Sequence, residues 1–173
     1  MSSYEEILLT VKRAWADVPA ASSADLAPIA FSSGEESAKA FIGVRPVEVD
    51  IKAAEFLSAT PLFELAPRVV AAYFGTYLIF LLNDYGVQKA VGFSTEVLNR
   101  AHVLTFLTRP NFWTNFVKPH FDAKRIDALG AVVAFVLENK DDFLLSDEEV
   151  DQLKRLSRSI RRNQDTRRGE SLV

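Results

Sequence analysis

Pro67-Arg68-Val69-Val70-Ala71-Ala72-Tyr73-Phe74-Gly75-Thr76-Tyr77-Leu78-Ile79-Phe80-Leu81-Leu82-Asn83 is the stretch on which the fold turns. Proline is tolerated in the first turn of a helix because the amide hydrogen it lacks would be unpaired there, so a helix is predicted from Pro67 to about Asn83. Apolar side chains surround that helix completely, which is expected only when other helices wrap it. The uncharged run from Val69 to Asn83 is 15 residues long, whereas a membrane span needs roughly 20. A buried core helix follows, not a membrane helix. Gly75 in its middle costs up to about 1 kcal/mol against alanine, which predicts a close helix crossing at that point.

Toward the N-terminus, Thr60-Pro61 stops a short helix expected from about Asp50 to Leu57. The residue before a proline is pushed out of helical geometry, so Val44-Arg45-Pro46-Val47 should be extended. Ser33 with Glu36 has the form of a capping box, opening a short helix that Gly43 can close in a left-handed conformation. Ala20 to Ser33, rich in Ala and Ser around Pro28, reads as a linker with a helical turn near Leu26 to Phe31. Ser3 with Glu6 is a second capping box, followed by Tyr4, Ile7, Leu8, Val11, Ala14 and Trp15 on one stripe and ended by Val18-Pro19.

Toward the C-terminus, Asn83-Asp84-Tyr85-Gly86 reads as a turn. Ser94 caps the next helix, with Phe93 stapled against Val97 or Leu98. Pro110 opens a short aromatic helix that ends ahead of Pro119. Asp122 caps a helix from Ala123 to Asn139, and Ser146 with Glu149 opens the last one, whose apolar spacing lapses after Asn163. No segment alternates with period two and no hairpin dipeptide occurs. The expected architecture is all-α: an irregular bundle of about six or seven helices around one apolar central helix, in a single domain of residues 1–163 with a flexible basic tail, 164–173.

The 173-residue chain, 49% hydrophobic and 25% charged, is long enough to bury a core and too apolar to stay disordered. It holds no cysteine, which removes disulfides, thiolate metal sites and a cysteine nucleophile. The acidic start, Met1-Ser2-Ser3-Tyr4-Glu5-Glu6, resembles neither a secretory signal nor a transit peptide, so a cytoplasmic location is expected. Net charge is −3, but unevenly spread. Residues 154–173 carry seven basic and two acidic side chains and the remainder 13 and 21, so a body at −8 bears a tail at +5. Within the tail, Arg155, Arg158 and Arg162 fall at i, i+3 and i+7, on one helical stripe. Such a stripe is first of all a solvated face at the negative end of a helix dipole. An acidic body and the lack of a visible recognition helix count against nucleic acid.

Candidate chemistry is sparse. His102 lies mid-helix near Leu98 and Phe106 with no partner at relay spacing, and His120 stands between helices in Lys118-Pro119-His120-Phe121-Asp122. Two histidines without cysteine or a His-x-x-x-His spacing make no metal signature. Glu48 and Asp50 read as a solvent-facing residue and a helix cap. The glycines are too scattered to cradle phosphate. Arg45 projects from an irregular segment where a binding residue can sit. Tyr73 and Tyr77, one turn apart, either line a pocket or belong to the core. Trp113, with Phe112, Phe116 and Phe121, is either satellite core or a protein-binding patch. No catalytic residue, metal or cofactor is assigned.

Ile7 to Pro19 (I-L-L-T-V-K-R-A-W-A-D-V-P), Thr60-Pro61 ahead of the tyrosine-bearing apolar helix, and Leu107-Thr108-Arg109-Pro110 ahead of the Ile126 to Asn139 helix resemble a family of small bacterial helical proteins of unknown function. The resemblance covers about two thirds of the chain, rests on packing positions and departs at Ser33 to Val49. It implies a bacterial, cytoplasmic, helical protein and brings no activity or site residues. The expected function is a non-catalytic protein-interaction module: an immunity, adaptor or regulatory protein. The alternatives are a ligand-binding or enzymatic helical domain using Arg45, Tyr73, Tyr77, His102 or His120, and nucleic-acid binding through the basic C-terminal helix.

Overall fold

Ser3 heads the first helix, α1 (Tyr4–Ala14): its hydroxyl accepts the Glu6 amide while the Glu6 carboxylate accepts the Ser3 amide. Two of the four orphan donors of the helix start are thereby satisfied reciprocally, as the sequence predicts. The computed structural model describes residues 3–22, 41–49, 62, 65–92 and 97–170. The turn expected at Leu26 to Phe31, the Ser33–Glu36 capping box, the Asp50 to Leu57 helix and the Phe93–Ser94 staple lie outside the described residues. Among the described residues five further helices follow: α2 (Pro67–Val91), α3 (Val97–Thr108), the single turn α4 (Lys118–His120), α5 (Ala123–Glu138) and α6 (Asp147–Glu170). A 3-10 turn covers Pro46–Glu48. Among the described residues there is no strand, only one isolated bridge between Ala21 and Ile42, and the fold is all-α.

From Val69 to Tyr85 every residue of α2 except Ala72 and Asn83 is buried. The helix is touched by α1, the 3-10 turn, α3 and the aromatic segment before α5. Burial on all sides removes several hundred Å² of apolar surface from water, at about 25 cal/mol per Å². α5 packs between α1 and α6, and α6 reaches back to α3. Gly75 admits the crossing expected of it, since a Cβ there would stand 2.5 Å from Trp15 Cγ. The fully buried Trp15 donates its indole N–H to the Ala71 carbonyl at 3.1 Å, pinning α1 to α2. No helix among the described residues is long and apolar enough to cross a membrane.

Several boundaries differ from the sequence reading: α1 ends at Ala14 and not at Val18, and Pro46 and Val47, expected to be extended, lie in the 3-10 turn. The supposed turn at Asn83 to Gly86 is helix, and α2 runs on to Val91, where Gly92 closes it at φ +86° by donating to the Gln88 carbonyl. Pro119 does not end the aromatic helix. Trp113–Val117 forms a wide π turn that runs directly into α4, so Pro119 lies inside a continuous helical segment. The last helix does not lapse at Asn163 but continues to Glu170, because Gln164 Nε2 and Arg167 Nη2 both donate to Asp127 of α5, at 2.9 and 2.7 Å.

Candidate functional site

The end of α3 sets up an aromatic shelf. Helical spacing places Phe106 inward, and the chain then turns through Pro110 and Asn111, whose φ of +60° reverses its direction. Asparagine tolerates that left-handed geometry better than most residues. The reversal brings Phe112 and Phe116 onto Phe106, with ring centroids 5.6 and 5.2 Å away. Arg109 lies across the group: its Cζ is 3.8 Å from the Phe106 centroid, 5.4 Å from that of Phe116 and 5.7 Å from that of Phe112. Stacking holds the cation by its attraction to the ring faces. Burial lowers the guanidinium's pKa from its ordinary value, yet so strong a base stays charged at neutral pH.

A groove of about 300 Å³ separates this corner from α6. Arg109, Asn111, Trp113 and Thr114 line one side, and Gln152, Arg155 and Ser159 the other. None of its twelve lining residues is acidic. Along α6 it continues into a shallower groove of about 220 Å³ lined by Arg155, Arg158, Ser159 and Arg162. Among the described residues, no carboxylate pairs with Arg109, Arg155, Arg158 or Arg162. By contrast Arg167 is paired to Asp127, and Arg125 to Asp17 and Asp122. Arg13, Arg68, Arg161 and Arg168 also have no carboxylate partner among the described residues, so what sets these four guanidiniums of the grooves apart is their place along two adjoining grooves.

The six residues singled out in the sequence are spread over the molecule. Arg45 pairs with Glu48 at 3.3 Å and donates to the Ala16 carbonyl, which ties the irregular segment to the end of α1. Tyr73 is buried; its hydroxyl accepts the Ala21 amide and lies 2.9 and 2.8 Å from the carbonyls of Phe41 and Val44. That is a structural pin. Tyr77 is deep in the core, where burial pushes its phenol far above the usual range. His102 is half-buried, with Nδ1 lacking a hydrogen-bond partner among the described residues. His120 lines a separate surface groove of about 400 Å³ together with Arg68 and Arg125. Trp113 lines the groove beside α6, while Phe112, Phe116 and Phe121 are core. In none of these grooves, nor in a fourth at Asp127, Gln164, Arg167 and Arg168, do two of the six meet.

Arg109, which completes the groove, carries no sequence signature of its own. The available signal is its place between phenylalanines at 106 and 112, which supplies ring faces for a guanidinium. Among the described residues no three His, Asp or Glu side chains gather as a metal ion would need. Comparison with models of protein families, with curated proteins and with solved structures found no match to this chain.

Proposed function

We propose that the chain is a non-catalytic binding protein that docks an acidic segment of a protein partner along the arginine face of α6. The observation that carries this reading is the exposed stripe of Arg155, Arg158 and Arg162 without carboxylate partners among the described residues. At a rise of 1.5 Å per residue the three span roughly 10.5 Å of helix axis. Acids spaced i, i+3 and i+7 on a partner helix repeat the same interval, and guanidinium grips a carboxylate through two parallel N–H donors. Duplex nucleic acid fits less well, because its charge density of one phosphate per roughly 1.7 Å meets a body at −8. The resemblance to small bacterial helical proteins is compatible with such a module.

Fluorescence anisotropy of a labelled oligoglutamate peptide tests the reading. Binding should be saturable and should vanish in R155E/R158E/R162E, while K12E/R13E, which alters two exposed cations on α1, should bind as the parent does. Equal loss in both variants, or duplex DNA outcompeting the peptide at matched salt, would overturn it.

A further inference from the structure

We infer that the groove between the end of α3 and α6 is a site for a phosphate monoester carried on a flat ring, with Arg109 and Arg155 on the phosphoryl oxygens and Trp113 beside the ring. The inference shares only Arg155 with the docking face proposed above. Its starting point is Arg109. A guanidinium that has lost part of its water and has no anion among the described residues is an unmatched charge, and such groups are ordinarily paired. Guanidinium donors lie in the plane of the group. With its Cζ 3.8 Å from the Phe106 centroid, Arg109 has a ring and not a carboxylate against it, and its N–H donors are left for an acceptor in the groove.

The facing wall is of the same kind. Arg155 has no carboxylate partner among the described residues, and the Gln152 side-chain amide makes no hydrogen bond there, so both offer free donors. The Ser159 hydroxyl already donates to the Arg155 carbonyl at 3.2 Å, leaving its oxygen at the rim. The groove is rich in donors and contains no acid, which selects an oxyanion with several acceptor positions over a neutral ligand. Two planar guanidiniums favour phosphoryl oxygens taken in pairs. Trp113 is half-buried at the mouth, where an aromatic face stacks a ring. The volume, about 300 Å³, is at the small end for ligand pockets, which suits one ring with one phosphate.

Trp113 also provides the readout. The chain has two tryptophans, and Trp15 is fully buried, so quenching by a surface ligand reports on Trp113. Phenyl phosphate should quench saturably, with the signal absent in W113F. In R109M, which keeps an unbranched side chain over Phe106, affinity should fall at least about tenfold, equal to about 1.4 kcal/mol. Q152E places an acid in the groove without touching the aromatic shelf and should weaken binding similarly, whether or not R109M folds well. R158E/R162E should bind phenyl phosphate as the parent does while losing oligoglutamate, so failure of the two readings is distinguishable. A phosphotyrosyl peptide and a nucleoside 5′-monophosphate then compare the two sources of such a group, and the tighter of them names the carrier. Quenching by phenol equal to that by phenyl phosphate, or unchanged affinity in Q152E, would overturn the assignment.

Discussion

Gly75 is where a single missing atom sets the geometry of two helices. A Cβ there would meet Trp15 at Cγ, Cδ2 and Cβ, at 2.5, 2.6 and 3.0 Å. The indole cannot recoil cheaply, because it is bonded to the Ala71 carbonyl and has the edge of Phe121 against it at a centroid distance of 5.5 Å. Alanine would add up to about 1 kcal/mol of helix propensity against an overpacking cost of typically 1–3 kcal/mol or more. Gly75→Ala is therefore expected to lower the urea midpoint despite the better helix former, and a midpoint at or above the parent's would refute the crossing argument. Gly169→Ala, with nothing within 4 Å of its added methyl, should be neutral or slightly stabilising in the same assay. The first effect is legible in the sequence, since a glycine inside so apolar a helix has few other uses. Arg109 is not legible in that way, because its environment is made by a turn at Asn111 and by rings brought together through tertiary packing.

At the scale of elements, local capping chemistry is readable in the sequence and helix length is not. Ser3, Asp122 and Ser146 each accept the amide three residues on, an arrangement settled within one turn of chain. Asn83-Asp84-Tyr85-Gly86 has the composition of a turn, yet tertiary contacts override it. Asp84 pairs with Arg100 of α3 at 3.4 Å, both nearly without exposure. Tyr85 packs edge-on to Phe135 and parallel to Phe143, and Gly86 lets the Tyr4 ring approach. Arg100 also donates to Gln88 Oε1 at 2.5 Å, one turn further along α2. Removing one member of a buried pair strands the other charge, so Asp84→Ala should cost on the order of 3–5 kcal/mol, and the D84A/R100M double variant less than the sum of the two singles. Urea unfolding of the four proteins measures this; additive losses would mean that the pair does not hold α3 to the end of α2. A weaker tie joins the end of α1 to α5, where Asp17 receives Lys124 Nζ at 2.7 Å and Arg125 Nη2 at 2.9 Å. The hydrogen bond from Lys124, then the charge of Arg125, lowers the Asp17 pKa below its ordinary value of 3.8. A carboxylate depressed on folding stabilises above its unfolded pKa and ceases to do so as pH falls through the folded one. The stability gap between parent and Asp17→Asn should thus be present at neutral pH, small because the group is exposed, and close in acid below the usual carboxylate range. A gap independent of pH would show that the ion pairs are not its source.

For the molecule as a whole, the decisive property is that a body at −8 carries its +5 at one end of the chain. An acidic peptide on the α6 arginine face is attracted by charges in contact with it and repelled by charges spread over the rest of the fold. For a compact chain of this length those lie on the order of 15–30 Å away. Salt separates the two. The screening length is about 30 Å at 0.01 M, about 10 Å at 0.1 M and about 3 Å at 1 M. Raising salt from the lowest value first removes the distant repulsion and leaves the contact attraction largely intact; only further salt weakens the guanidinium–carboxylate pairs themselves. Oligoglutamate affinity should consequently pass through a maximum near 0.1 M salt, and the maximum should shift to lower salt when exposed acids of the body, such as Glu5 and Asp141, are replaced by their amides. Anisotropy titrations across that range measure it directly. Affinity falling steadily from the lowest salt upward would mean that the peptide does not sense the body's charge, and that the asymmetry between body and tail is no part of how the chain selects a partner.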